Sequence, residues 1–387
     1  MRVTVFAFVL TIILVLYGAL HYYLFTKLQA VFSDQRKLII IVLLLCWSSV
    51  FVAELLVHRN IQSSVVFPLV WFSFVWMGLV FLFFFVSLAF DIGGILMRLG
   101  QFDGVANALA SPQRTAWVVL LVMGIAAQGY WSARQINVEH ITLASPKLSH
   151  PIRIVQIADL HLGTLTDVRH LQRIVAKVNS LAPDIIVSTG DLVDMGMDHM
   201  QGLLQELTQL DASLGKYAIY GNHEVLAGIK ASHDFITASG FSVLSGSEIV
   251  VGDELNIAGV DDPMAARSAS TKTLNETELL KHYANGRYTV LLKHQPVINP
   301  HSVGLFDLQL SGHVHGGQIF PFGVLTWLVY RTPMGLSVIN KDAWLYVSRG
   351  TGTWGPPMRV LAAPEISLFD LRPAHDGELG RTEGAAK

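Results

Sequence analysis

Five short polar segments carry the residues whose types and spacing could do chemistry. Asp159 and His161 stand two apart after the apolar run IRIVQIA, and Asp191 lies in Gly-Asp-Leu-Val-Asp after DIIVST. Asn222 and His223 follow YAIY within Gly-Asn-His-Glu, and His294 follows YTVLLK. His313 and His315 follow LQLS as Gly-His-Val-His. In an extended segment residues i and i+2 face the same way, so the Asp159/His161 and His313/His315 pairs can each reach one ion. Imidazoles mixed with carboxylates suit Mn, Fe or Zn better than Mg, which prefers all-oxygen, partly hydrated sites. Singly, each segment has an ordinary explanation. Asp-X-His is usually a turn acid beside a solvated histidine, Gly-Asp is turn chemistry, and a lone His294 is most often a satisfied core residue. All five in order, each after an apolar strand, form a joint signal that chance does not supply.

The segments must be positioned by the elements around them. Residues 152–158, 184–189 and 217–220 read as short strands, each ending in one of the polar segments. Thr166 reads as the N-cap of a helix with Leu171, Ile174, Val175 and Val178 on one face, and a second helix is expected at about 226–239. This alternation argues for an α/β sheet with ligands at the strand ends. Later strands near 248–259, 288–293, 306–310, 343–348 and 365–371 lack long helices between most of them, which predicts a second, mixed or antiparallel sheet.

Residues 152 to about 371 resemble the calcineurin-like metallophosphoesterase superfamily. The pattern D-x-H, GD-x-x-D, GNH-E, H and GH-x-H stands here as Asp159/His161, Asp191/Asp194, Gly221 to Glu224, His294, and Gly312 to His315. The stretches GHVHGGQIFPF and SRGTGTWGPPMR are similar to the YkuE/YaeI-type branch of membrane-associated bacterial members. The resemblance implies two packed mixed sheets flanked by helices, with a dinuclear site between the strand ends. It implies that Asp159, His161 and His315 hold one metal, that Asn222, His294 and His313 hold the other, and that Asp191 bridges both. It implies that His223 is no ligand but faces the leaving group. Two cations about 3.5–4 Å apart acidify water and clamp phosphoryl oxygens, and a shared carboxylate offsets their repulsion. Asp194 is expected to support a ligand or start a helix rather than to bind metal. Lys293 stands where the family often has Gly, and Val314 where Thr is frequent.

The rest of the chain has a different character. Of 387 residues, 52% are hydrophobic and only 14% charged, which excludes a wholly soluble enzyme and a disordered chain. The net charge of −2 provides no basic field for nucleic acid. Cys46 is the one cysteine, so neither an intrachain disulfide nor a thiolate cluster can form. Four apolar runs, at 3–25, 38–57, 65–90 and 115–131, predict about four transmembrane helices in a region spanning 1–131. The first run is too long for a cleaved signal peptide and reads as a retained anchor. Between the last two runs, residues 92–102 predict an interfacial helix or a loop. A linker at 132–150, a catalytic domain at 151–372 and a disordered tail at 373–387 complete the expected organisation. Lys27, Arg36, Lys37, Arg98 and Arg114 lie on one side of the spans, against Arg2, Arg59, Arg134 and Lys147 on the other. That bias puts the catalytic domain outside the cytoplasm of a multi-pass protein in the cell membrane.

The sequence therefore predicts a membrane-anchored, dinuclear-metal phosphoesterase acting on phosphodiester or pyrophosphate bonds. Its substrate class would be lipid-linked phosphates, with UDP-diacylglucosamine a candidate by resemblance alone. The apolar stretch from Ile319 to Leu336 either rests on the membrane or holds an acyl chain, or it packs inside the domain. Arg331 and Arg359 are candidates for contacting a phosphate, or for surface ion pairs. The alternatives are a broad phosphodiesterase for soluble phosphoesters and a non-catalytic metal-binding sensor. The second of these would usually have lost ligands, and none is missing here.

Overall fold

The computed structural model describes residues 2–58, 66–197, 200–268, 275–282, 285–341, 343–374 and 380–381. They form two compact units, one of Met1–Trp131 with Gly355–Val360 and one of Ser132–Trp354 with Leu361–Lys387.

The first unit is helical: α1 (Arg2–Gln29), α2 (Arg36–His58), α3 (Val66–Leu99), α4 (Asp103–Ala110) and α5 (Arg114–Ser132). Helices α1, α2, α3 and α5 are long and apolar enough to cross a membrane. Where no water can pair with the backbone, a helix satisfies its own amides, so such runs are helical throughout. At 1.5 Å per residue the 34 residues of α3 extend about 51 Å. Residues 92–99 are thus the last turns of α3 rather than a separate interfacial helix or loop. Leu109 of α4 lies within 4 Å of where side chains on Gly93 and Gly94 would stand, so the two glycines admit α4 closely. Asp91 ties three helices together, accepting from Tyr23 at 2.5 Å and pairing with Lys27 at 2.7 Å and with Arg114. Gly355–Val360 packs within this unit, with the Arg359 amide donating to the Gly129 carbonyl (2.9 Å) and Met358 against Gly78. Arg359 is fully buried, not placed on a surface open to a phosphate.

Among the described residues the second unit holds thirteen strands: β1 (Asn137–Ser145), β2 (Ile152–Ile157), β3 (Ile185–Ser188), β4 (Lys216–Ala218), β5 (Ser242–Val243), β6 (Ser247–Val251), β7 (Leu255–Val260), β8 (Tyr288–Lys293), β9 (Leu308–Ser311), β10 (Gly335–Asn340), β11 (Ala343–Val347), β12 (Glu365–Pro373) and β13 (Gly380–Arg381). Its helices are α6 (Val168–Ser180), α7 (Gln201–Leu207), α8 (Asn222–Ala227), α9 (Ile229–Ala238), α10 (Pro263–Ser268), α11 (Glu276–His282) and α12 (Phe322–Tyr330). The strands make a seven-stranded sheet in the order β13-β1-β12-β2-β3-β4-β5 and a six-stranded sheet in the order β10-β11-β9-β8-β7-β6. Both sheets are mixed. β2, β3, β4 and β5 run parallel in one, as do β11, β9, β8 and β7 in the other.

The sheets pack face to face through Ile154, Ile185 and Val187 on one side and Ile257, Val290, Leu292 and Leu310 on the other. The outer face of the first sheet is covered by α6, whose Leu171, Ile174, Val175 and Val178 are all buried against Val155, Ile157 and Ile186. Its N-cap is Asp167, whose carboxylate accepts from the Arg169 amide; Thr166 instead accepts from the Gly163 amide one turn earlier. β3 is buried at every residue, the reason it reads as an unbroken apolar run. Two expected boundaries shift. The linker expected at 132–150 contains β1, which pairs in parallel with β12 over nine residues. Within the tail expected to be disordered, Gly380–Arg381 pairs with β1, and the remainder after Ala374 lies outside the described residues.

Candidate metal centre

The polar segments leave the C-terminal ends of β2, β3 and β4 in one sheet and of β8 and β9 in the other. Because each set runs parallel, the five segments arrive at one edge of the sandwich. The local backbone differs from the extended form assumed above. Asp159, His161, Asp191, His313 and His315 all have positive φ, between 49° and 74°. For a residue with a Cβ this left-handed region costs about 1–2 kcal/mol, and it persists only where the surroundings demand it. The side chains therefore converge through tight turns, not through strand alternation. Asn222 and His223 open α8 rather than closing a strand. Two glycines make the approach possible. A side chain on Gly221 would collide with the Asp191 carboxylate, and one on Gly312 would stand 2.5 Å from Asp159 Oδ2.

Among the described residues three groups result: Asp159, His161 and His315; Asp191, His294 and His313; and His161, Asp194 and His223, the first and last sharing His161. In the first, His161 Nε2 is 3.0 Å from His315 Nε2, which is 3.8 Å from Asp159 Oδ1. In the second, His294 Nε2 is 3.2 Å from Asp191 Oδ2, 3.1 Å from His313 Nδ1 and 3.3 Å from Asn222 Oδ1. His223 Nδ1 meets Asp194 Oδ1 at 3.0 Å, and the other Asp194 oxygen is 3.6 Å from His161 Nδ1. Asp159, His161, Asp191, Asp194, Asn222, His223, His294, His313 and His315 thus all reach this one cluster, whereas Arg359 does not.

The donor set fits divalent cations. His294 Nδ1 lies 2.8 Å from the Thr189 carbonyl and must donate to it. A neutral His294 then turns a bare lone pair at Nε2 toward two oxygen acceptors, Asp191 Oδ2 and Asn222 Oδ1, beside the His313 ring. A lone pair facing these two oxygens at 3.2 and 3.3 Å needs a positive charge among them, either a proton or a metal. Asp159 makes the same demand. Its Oδ1 accepts from the His313 amide at 2.8 Å, but its Oδ2 is buried with no hydrogen-bond partner.

Electrostatics follow the same lines. Burial raises the Asp159 pKa, with the neighbouring Asp191 adding to the effect, against His294 and His161. Burial also works against the Asp191 anion, but His294, His161 and His223 outweigh it and hold the carboxyl below the ordinary range. Burial and the adjacent His294 bring His313 down to about 3, so it stands as a neutral donor. Burial opposes a charged His223 as well; its bond to Asp194 and the nearby Asp191 overcome this and push it up to about 9.

Residues 152–317 match the calcineurin-like phosphoesterase family. An uncharacterized metallophosphoesterase of Aquifex aeolicus is 36% identical over 240 residues, covering 61% of this chain and 92% of that one. The chain is a calcineurin-like metallophosphoesterase. YkuE of Bacillus subtilis, another uncharacterized metallophosphoesterase, is 32% identical over 291 residues, 70% of this chain and 95% of that one. A transmembrane protein with metallophosphoesterase domain from Danio rerio is 30% identical over 303 residues, 73% of this chain and 69% of that one.

Both departures from the family pattern are accommodated in this metallophosphoesterase. Lys293 pairs with Glu276 at 2.6 Å, and Val314 is buried against Leu345 and Val347. The sequence also hid several parts of the site. Trp354 sits edge-on to His223 at 5.6 Å and Tyr330 edge-on to His313 at 5.5 Å; both lie in stretches singled out above, but nothing in those stretches assigns either residue to the site.

The most consequential of these is Glu224. Fully buried, it accepts from the amides of Gly221 (2.7 Å), Asp191 (3.0 Å), Leu192 (2.7 Å) and Val193 (3.2 Å). One carboxylate thereby locks the Asp191 turn onto the Asn222 turn. Glu224→Gln keeps the shape but turns an NH₂ onto amide N–H groups, leaving buried donors unpaired at a cost of about 3 kcal/mol. The expected result is a lower unfolding midpoint and weakened metal binding, although Glu224 touches only the backbone, not the side chain, of a ligand position. An unchanged midpoint in a thermal melt would mean that the clamp carries little.

Proposed function

We propose that Asp159, His161 and His315 hold one divalent ion, that Asn222, His294 and His313 hold a second, and that Asp191 lies between them. The observation that carries this is one oxygen: Asp191 Oδ2 is 3.2 Å from His294 Nε2 and 3.8 Å from His161 Nε2, while Oδ1 is occupied by the His223 amide at 2.8 Å. A single free lone-pair oxygen thus faces both histidine groups. Bound there, two divalent ions would acidify water and draw charge from phosphoryl oxygens. His223, turned by Asp194, presents its other ring nitrogen as the proton donor to the departing oxygen. Trp354 flanks that ring and limits its rotation.

The reaction we assign is hydrolysis of phosphodiester or pyrophosphate bonds with Mn, Fe or Zn. The substrate class we assign is a lipid-linked phosphate, because the four apolar helices make the chain membrane-associated and concentrate such substrates beside the domain. Multi-pass insertion with the catalytic domain outside the cytoplasm is the topology supported by five basic residues against four. The test is the purified full chain, metal-loaded or chelated, with bis-p-nitrophenyl phosphate and with acylated diphosphates. Two ions per chain and turnover lost on chelation are expected. Well-folded protein carrying two ions yet cleaving neither substrate would overturn the reading in favour of a sensor.

A further inference from the structure

Helix α12 is apolar on every side, yet none of its nine residues is buried. Phe322, Val324, Leu325, Trp327 and Leu328 are all exposed, and Val329 is 72% exposed. The fifteen residues from Gly316 to Tyr330 contain no Asp, Glu, Lys or Arg. A helix hydrophobic all round belongs in a protein core or in lipid, and this one has no core around it. At nine residues it extends about 13 Å, too short to cross a bilayer but long enough to lie in its interface. The groove beneath it, lined by Val314, Thr326, Trp327, Tyr330 and Met334, holds about 100 Å³. Pockets that enclose a drug-sized ligand run to about 300 Å³ or more, so an acyl chain does not account for the exposed surface.

We propose that α12 is an interfacial membrane helix of the catalytic domain, its outward face immersed among lipid acyl chains next to the headgroups. The occupant is the bilayer. Only Ala133–Ile136 separate the last apolar helix from β1, so the domain is tethered to the membrane that the helices enter. Arg331 follows the helix with its guanidinium over the Trp327 ring at 5.1 Å, an aromatic–cation pair of the kind that sits at the headgroup level. His315 precedes the helix by seven positions, and Tyr330 at its end faces His313. Immersion of α12 therefore sets the metal groups beside the lipid phosphates. This rests on the membrane-anchored reading above, but not on the identity of the reaction.

The test uses the full chain in nanodiscs of phosphatidylcholine and phosphatidylglycerol. Cys46 is replaced by Ala, and a nitroxide is attached to Val329→Cys, or to Val250→Cys on β6 as a solvent-facing control. Immersion predicts that the Val329 label collides with oxygen at least about fivefold more than with a water-soluble nickel complex, as expected of a site among acyl chains. The control should show the reverse. Adding Leu325→Asp and Leu328→Asp should return the Val329 label to the nickel-accessible range while bis-p-nitrophenyl phosphate turnover changes by less than about twofold, since both side chains lie on the surface. A Val329 label as open to nickel as the control would overturn the proposal. So would spin–spin coupling between labels on two chains, which would make a second copy the occupant. Neither label accessibility nor spin–spin coupling needs catalysis, so a failed phosphodiesterase assay and a failed immersion remain distinguishable.

Discussion

Asp191→Asn is expected to reduce turnover by at least about 10³-fold, some 4 kcal/mol of transition-state stabilisation, and to leave fewer than two ions bound per chain. The argument is geometric. Oδ1 accepts from the His223 amide at 2.8 Å, and Oδ2 faces His294 and His161. An asparagine that keeps the first bond must point its NH₂ at both imidazoles, and an amide nitrogen has no lone pair to offer a cation. Flipped, it sets NH₂ against the His223 N–H, donor against donor in a buried site. Neither orientation restores the oxygen proposed to be shared, and the anion that would offset two positive charges is gone in both. Metal content by atomic emission and initial rates at saturating Mn measure the two effects together. A variant with two ions and undiminished turnover would remove Asp191 from its place between the groups.

What the sequence disclosed, and what it hid, divides along physical lines. The ends of β2, β3, β4, β8 and β9 were legible because each strand is a short apolar run that stops abruptly at Asp, Asn or His. The buried face of α6 was legible because Leu171, Ile174, Val175 and Val178 repeat at helical spacing. The left-handed turns were not, because a backbone reversal at Asp159 or His313 leaves no mark on residue type; only the glycines before Asp191, Asn222 and His313 hint at crowding. β1 was hidden since its partner β12 begins 228 positions later, and pairing at that distance has no local signature. The stretch that forms α12 was legible as apolar, but its place was left open for another reason. A short apolar run is equally compatible with a buried strand, a core helix and a surface in lipid, and only its lack of cover distinguishes the last. Glu224 belongs to the Gly-Asn-His-Glu motif, but its four amide partners come from two separate turns, so its clamping role emerges only once the turns are side by side.

His223→Gln should separate proton donation from metal chemistry through the leaving group. His223 Nδ1 is committed to Asp194 at 3.0 Å and its ring stands edge-on to Trp354, while the bond to Asp194 and the nearby Asp191 push its pKa up to about 9 against burial, which favours a proton on the remaining nitrogen. A departing alkoxide needs that proton; p-nitrophenolate, already a stable anion, hardly does. General acid catalysis by a placed histidine contributes about 10²–10⁴-fold. The variant should therefore lose about 10³-fold on an alkyl phosphodiester but no more than about tenfold on bis-p-nitrophenyl phosphate, the difference being the proton's share of the barrier. A plot of log kcat/KM against leaving-group pKa should steepen. Asp194→Ala, which frees the ring without removing it, should fall between the two, because the donor remains but is no longer aimed. An equal loss on both substrates would mean that His223 acts by steadying the Asp191 turn through its amide, and the donor role would pass to another group.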